Sequence, residues 1–288
     1  MRDLRIPSGL VIATAALGVA CNSGDEARDT ETTEATPKVV TVTATDYAFE
    51  APDTLQEGWT TVRLVNDGRR LHAALVVKLE QEQTPEGFRA AYSEAWKANG
   101  PWDTFGFRNG LVSAPPTGSV NATLYLDPGR YAWYCPMHFE GGAPHVIEHD
   151  MTRPFVVTAR GGSERPPVAP EPSAVIALAD YAFVVSEPLA AGQHMIRVEN
   201  QGREPHEVLL FKLAPDKTLQ DAQSWLGDPQ NAYPFSSYLG GAVVEPAGAE
   251  AYFEAELTPG DYVLVCAITA PDGRTHTEHG MIRQLRIA

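Results

Sequence analysis

Residues able to bind a soft metal ion fall in one order along this chain, and they do so twice. A histidine follows an Asn-x-Gly turn: His72 after Asn66-Asp67-Gly68, and His206 after Asn200-Gln201-Gly202. A cysteine closes each segment that begins Pro-Gly-x-Tyr, giving Cys135 and Cys266. A histidine-bearing loop then leads to Met151 or Met281 at the head of the last apolar stretch. Thiolate, imidazole and thioether are donors that suit copper and other soft metals, so the chemistry on offer is metal binding. Any one of these residues alone is ordinarily packing, since Cys and Met are among the most buried types. An ordered set that recurs points to ligands instead.

The recurrence is a duplication of the whole segment. Asp46-Tyr47-Ala48-Phe49 returns as Asp180-Tyr181-Ala182-Phe183, and the same offset of 134 relates Asn66 to Asn200, His72 to His206 and Lys78 to Lys212. Offsets of 131 and 130 relate Cys135 to Cys266 and Met151 to Met281. Register over so many landmarks marks tandem copies. Each copy reads as β-rich. Residues 39–44, 61–65 and 194–198 alternate at the strand period. Residues 124–135 and 255–266 read as strand, tight turn, strand around Pro-Gly. Short helices are expected at 85–98 and 219–226, and the Asp-Tyr-Ala-Phe motif is expected to place its aromatics in the core.

Many short strands separated by turn signals predict an all-β chain of two tandem Greek-key β-sandwiches with short helical inserts. The expected organisation is a signal segment at 1–21, a disordered tether at 22–37, a first sandwich at 38–160, a proline-rich linker at 161–172 and a second sandwich at 173–288.

The ordered set resembles that of the cupredoxins, the blue-copper domains, over nearly all of both copies. In that family a His from an early strand, with a Cys, a His and a Met around the last inter-strand loop, holds a type-1 copper. Carried onto this chain, the resemblance assigns His72, Cys135 and Met151 to one site and His206, Cys266 and Met281 to the other. The second imidazole has several candidates. His276 stands ten residues after Cys266 and five before Met281, whereas His279 stands two before Met281 and is in register with His149. His138 has the short spacing after Cys135 that many family members show. We take His145 and His276 as the ligands, with His138, His149 and His279 as alternates. The implied cofactor is type-1 copper, one or two ions per chain. Glu207, where the first copy has Ala73, is a candidate for orienting an imidazole. A disulfide between Cys135 and Cys266 is the competing reading of these cysteines.

Arg2 and Arg5 precede an apolar run of eleven residues, 10–20, that ends at Cys21. The run is too short to span a bilayer and fits a secretory signal. The segment resembles a bacterial lipoprotein signal, although Gly18 stands where Leu is usual. The chain is therefore expected outside the cytoplasm, anchored to a membrane through a lipid on Cys21, or else secreted. A net charge of −15 argues against nucleic acid as a partner. The resemblance implies one-electron transfer with a redox partner protein. Copper storage or delivery, or a metal-free structural module, are the alternatives. The chain is read as not an enzyme. Multicopper oxidases carry His-x-His pairs, and they and copper nitrite reductases place a His beside the blue-copper Cys. This sequence has neither feature.

Overall fold

In a computed structural model of the chain, the described residues are 36–288 without 81, 99–104, 106, 109, 112, 139–141, 162–166, 187, 229, 245 and 246. The signal segment with Cys21, the tether as far as residue 35, and residues 162–166 of the linker lie outside them. Among the described residues no helix is long and apolar enough to cross a membrane.

The first copy comprises β1 (Lys38–Thr45), β2 (Ala48–Glu50), β3 (Thr54–Gln56), β4 (Gly58–Asn66), β5 (Leu75–Leu79), α1 (Pro85–Ala98), β6 (Phe107–Arg108), β7 (Gly110–Leu111), β8 (Ser119–Leu126), β9 (Gly129–Tyr134), α2 (His145–Glu148) and β10 (Thr152–Thr158). The second comprises β11 (Ala174–Ala179), β12 (Ala182–Val185), β13 (Gly192–Asn200), β14 (His206–Leu213), α3 (Leu219–Gly227), β15 (Phe235–Val244), β16 (Glu250–Leu257), β17 (Gly260–Val265) and β18 (Ile282–Ile287). The period-two alternation is realised in β4, where Thr60, Val62, Leu64 and Asn66 point inward while the residues between them are more exposed. Such β-branched, half-buried segments pack well on a pleated face.

In the first copy β8-β4-β1-β2 faces β3-β10-β9-β5-β6, and a core that includes Val42, Val62, Leu64, Val76, Trp133 and Phe155 lies between them. In the second, β12-β11-β13-β16 faces β18-β17-β14-β15 over an equivalent core. Most pairings are antiparallel, with parallel contacts at β1–β4, β3–β10 and β11–β13.

The proline-rich linker left open whether the copies dock. The described residues of both copies belong to one compact unit, and two sheets cross from one copy to the other. β16 meets β8 at Tyr252↔Thr123, where Glu254 N also donates to Asn121 Oδ1 at 2.9 Å. β15 pairs with β7 at Ala242↔Leu111 and Val243↔Gly110.

Both helices form where the sequence spacing places them. α1 opens on Pro85, whose fixed φ suits the first helical turn. It buries Phe88, Tyr92 and Ala95, spaced along one face. Phe88 and Tyr92 pack on Tyr134, at 5.3 and 5.7 Å between ring centroids, so the helix braces the end of β9 just before Cys135. α3 runs one residue further than expected, to Gly227, and starts from a capping box between Thr218 and Asp221.

Candidate metal centres

The turn that carries the first histidine is built by a buried asparagine. Asn66 Nδ2 donates to Arg70 O at 2.7 Å and to Ala114 O at 2.8 Å, while its Oδ1 accepts from Gly68 N at 2.9 Å. Asn200 does the same for the second copy, through Glu204 O, Val244 O and Gly202 N. The turn glycines leave room for the aspartate and the histidine behind each turn, Asp46 Oδ1 and Asp180 Oδ1 being the first atoms an added Cβ would meet. A Cβ on Gly68 would lie 3.0 Å from His72 Nε2, and one on Gly202 would lie 2.6 Å from His206 Nε2. His72 is then pinned by a two-way backbone bridge with Ala114, at 3.2 and 2.7 Å.

The cysteine loop is closed by matching sets of backbone hydrogen bonds. In the first copy His145 N donates to Met137 O (2.8 Å), Val146 N to Cys135 O (2.9 Å), Met151 N to His145 O (3.1 Å) and Cys135 N to Met151 O (3.2 Å). In the second, His276 N donates to Ile268 O (2.8 Å), Thr277 N to Cys266 O (3.1 Å), Met281 N to His276 O (2.8 Å) and Cys266 N to Met281 O (3.3 Å). The loop between His and Met is one residue shorter in the second copy, and the same contacts form regardless.

These scaffolds bring together His72, Cys135 and His145, and separately His206, Cys266 and His276, with the donor atoms of each trio within 4.8 Å of one another. All six residues are 0–1% exposed. Cys135 Sγ lies 3.8 Å from His72 Nδ1 and 3.5 Å from His145 Nδ1. Cys266 Sγ lies 3.4 Å from His276 Nδ1, which is 3.1 Å from His206 Nδ1. Three donors, each about 2.0–2.3 Å from a central first-row ion, stand roughly 3.5–3.8 Å apart in a trigonal plane, so the spacing suits an ion between them. Met151 and Met281 are fully buried in the same core clusters as the cysteines. Two imidazoles and a thiolate with a nearby methionine are the donor set of copper rather than of a structural zinc site. Both cysteines are free thiols, so the disulfide reading does not hold.

Burial sets the protonation of the metal-free donors. It pushes the Cys135 thiol up to about 11 and the Cys266 thiol higher still, with the neighbouring Glu207 charge adding to the second shift. Each sulfur nevertheless accepts a backbone N–H at 3.4 Å, from Ala73 or from Glu207, which favours the thiolate once a metal displaces the proton. Burial lowers all four imidazoles, His145 to about 4, where His72, His149 and Arg70 also push it down. The imidazoles are therefore neutral ligands at pH 7.

The outer nitrogens differ between the copies. His206 Nε2 meets Asp180 Oδ1 at 3.3 Å, and His276 Nε2 meets Glu204 Oε2 at 3.1 Å. A carboxylate on Nε2 leaves the Nδ1 lone pair for the metal. In the first copy Asp46 bonds Arg69, through the backbone N at 2.7 Å and Nε at 2.8 Å, as Asp180 bonds Arg203, but His72 Nε2 has no hydrogen-bond partner among the described residues.

The alternate histidines sit elsewhere. His149 stacks on Tyr47 at 3.6 Å and His279 stacks on Tyr181 at 4.4 Å, in matching places. His138 is exposed and packs against Trp96 at 5.0 Å. Two expectations are corrected here. Only Phe49 and Phe183 of the Asp-Tyr-Ala-Phe motifs enter the core. Tyr47 and Tyr181 adopt positive φ, 71° and 65°, and turn their ring edges to His145 and His276 at 5.2 and 5.1 Å. Glu207 does not orient an imidazole; its carboxylate accepts from Ala267 N at 2.9 Å. The groups that do, Asp180 and Glu204, were missed in the sequence, although Glu204 stands out there as the counterpart of Arg70.

No protein-family model matches the chain, and no curated protein matches it. Solved structures do. Auracyanin A from Chloroflexus aurantiacus, a "blue" copper protein, is 20% identical over 42% of this chain and 99% of its own, with a TM-score of 0.33. A blue copper oxidase from Nitrosomonas europaea is 14% identical over 88% of this chain and 86% of its own, with a TM-score of 0.26. A copper-containing nitrite reductase from Thermus scotoductus is 13% identical over 87% of this chain and 61% of its own, with a TM-score of 0.22.

Each copy is a two-sheet β-sandwich holding one buried His–Cys–His trio, as the resemblance to cupredoxins implies. The reading of the chain as not an enzyme is withdrawn: it rested on absent motifs alone, and structures named as an oxidase and a reductase are among those the chain matches. A missing His-x-His pair does not place a cupredoxin-like tandem outside enzymes, and the fold alone assigns no activity.

Proposed function

We propose that His72, Cys135, His145 and Met151 hold one copper ion, that His206, Cys266, His276 and Met281 hold another, and that the protein transfers electrons singly. The observation that carries this reading is the pair of buried trios whose donors already converge from rigid strand ends. A copper bound to a thiolate and two imidazoles supplies a one-electron couple. The chain's own part is to hold the donors in place and keep water away from them. The Asn66 and Asn200 turns fix one imidazole each. The loop hydrogen bonds fix the other, and the peptide N–H on each sulfur stabilises the thiolate. Donors positioned in advance leave little to rearrange when the charge changes by one.

The signal-like segment supports an extracytoplasmic protein tethered to a membrane through Cys21 and exchanging electrons with a redox partner protein. The test is a copper(II) titration of the chain from about Lys38 onward, followed by visible absorption with metal counted. A strong thiolate-to-copper band at two ions per chain is expected. Binding without the band favours copper storage or delivery, and no binding overturns the reading.

A further inference from the structure

We infer that the two centres are unequal by construction: Glu204 holds the second copper at a lower reduction potential than Arg70 allows the first. One electron shared by the molecule then resides mainly in the first copy. This rests on the copper reading above.

Arg70 and Glu204 occupy equivalent places, two residues before the first histidine of each site. Glu204 Oε2 lies 3.1 Å from His276 Nε2, and its Oε1 accepts from Tyr181 OH at 3.2 Å. It is therefore aimed at the ligand. Asp180 hydrogen-bonds His206 at 3.3 Å, whereas its counterpart Asp46 acts on His72 by charge alone. The neighbouring arginines do not create the contrast, since Arg69 pairs with Asp46 as Arg203 pairs with Asp180.

Reduction adds one negative charge to a site. A carboxylate hydrogen-bonded to the ligand imidazole makes it a stronger donor and opposes that added charge. Arg70, exposed but near enough for its charge to act on His145, favours it.

The backbone also joins the two sites. His206 pairs with Val244 and Glu207 with Val243 across β14–β15, Val243 pairs with Gly110 across β15–β7, and four residues past Gly110 the chain reaches Ala114, which bridges His72. Bonds and hydrogen bonds thus run from one ligand histidine to the other. Exchange along this route takes one electron from copper(I) in the second copy to copper(II) in the first. No bond is made or broken and no proton moves.

The experiment is a mediated redox titration of the copper-loaded full chain, followed by the thiolate band. Cys135→Ser and Cys266→Ser each leave one centre to be assigned. The first centre is expected above the second by at least tenfold in the electron's distribution, 59 mV for one electron. Arg70→Glu is expected to lower the first potential alone. Glu204→Arg, or the isosteric Glu204→Gln should the former fail to fold, is expected to raise the second alone. Equal potentials, the reverse order, or variants that move neither centre overturn the inference while leaving the copper reading standing. Absence of the band overturns both, and is seen before any potential is read.

Discussion

The two centres share the hydrogen bonds that build them and differ in the charges behind them. Asn66 and Asn200 anchor the same turns, and the His–Cys–Met loops close through matching backbone contacts. Behind the imidazoles the match ends, with Glu204 on His276 where the first copy has Arg70, and with Asp180 hydrogen-bonded to His206 where Asp46 makes no such bond to His72. Backbone geometry decides where donors stand, whereas a single turn residue, half-buried Glu204 or exposed Arg70, changes the field they feel. The first is set by many contacts at once. The second changes with one side chain and leaves the fold untouched.

The hardest way to break the comparison is to remove a sulfur. Cys135→Ser and Cys266→Ser are each expected to abolish about half of the thiolate-to-copper absorption, and loss of the whole band from either one would show that a single copy carries it. Protonation is the next lever. In the metal-free chain burial holds His145 at about 4, while the unfolded imidazole titrates near 6.5. The folded pKa lies below the unfolded one, so this contribution is full above pH 6.5 and is lost as pH falls toward 4. The loss is read as a fall in the denaturant midpoint, which His145→Gln should reduce but not abolish, because burial lowers His72, His206 and His276 too.

Gly202→Ala and Gly68→Ala sharpen the contrast, because the added methyl meets His206 Nε2 at 2.6 Å in one copy and His72 Nε2 at 3.0 Å in the other. Each is expected to destabilise by about 1–3 kcal/mol, more at Gly202, with copper affinity lost at the altered centre. The smallest effect is expected from Tyr181→Phe, which removes the hydroxyl bound to Glu204. It should lower the second potential slightly by leaving more charge on the carboxylate, while Tyr47→Phe leaves the first unmoved.

Much of this was legible in the chain itself. Alternation located β1, β4 and β13, and the helical spacing of Phe88, Tyr92 and Ala95 located α1. The order of His, Cys and Met named the neighbourhood of both sites. The second histidine was not legible from one criterion, because spacing to Met favoured His276 while repeat register favoured His279. What separates them is the bond from His276 N to Ile268 O, which turns one imidazole inward, and the ring of Tyr181, which takes the other. Asp180 lies 26 residues from the histidine it bonds, a distance that no local pattern spans. The crossing sheets at β8–β16 and β7–β15 were hidden for the same reason. The exclusion of enzymes failed differently: it rested on a motif's absence, and absence constrains a fold less than presence does.

The depth of the two sulfurs bears on how such a chain survives before it meets copper. Disulfide exchange needs a thiolate that another sulfur can reach. Cys135 and Cys266 are fully enclosed, and burial keeps both protonated until a metal arrives. In an oxidising medium the unloaded chain is then shielded from scrambling and from cross-linking to its neighbours. The hazard is confined to the interval before the sandwiches close, which makes folding, rather than metal supply, the step that safeguards the thiols.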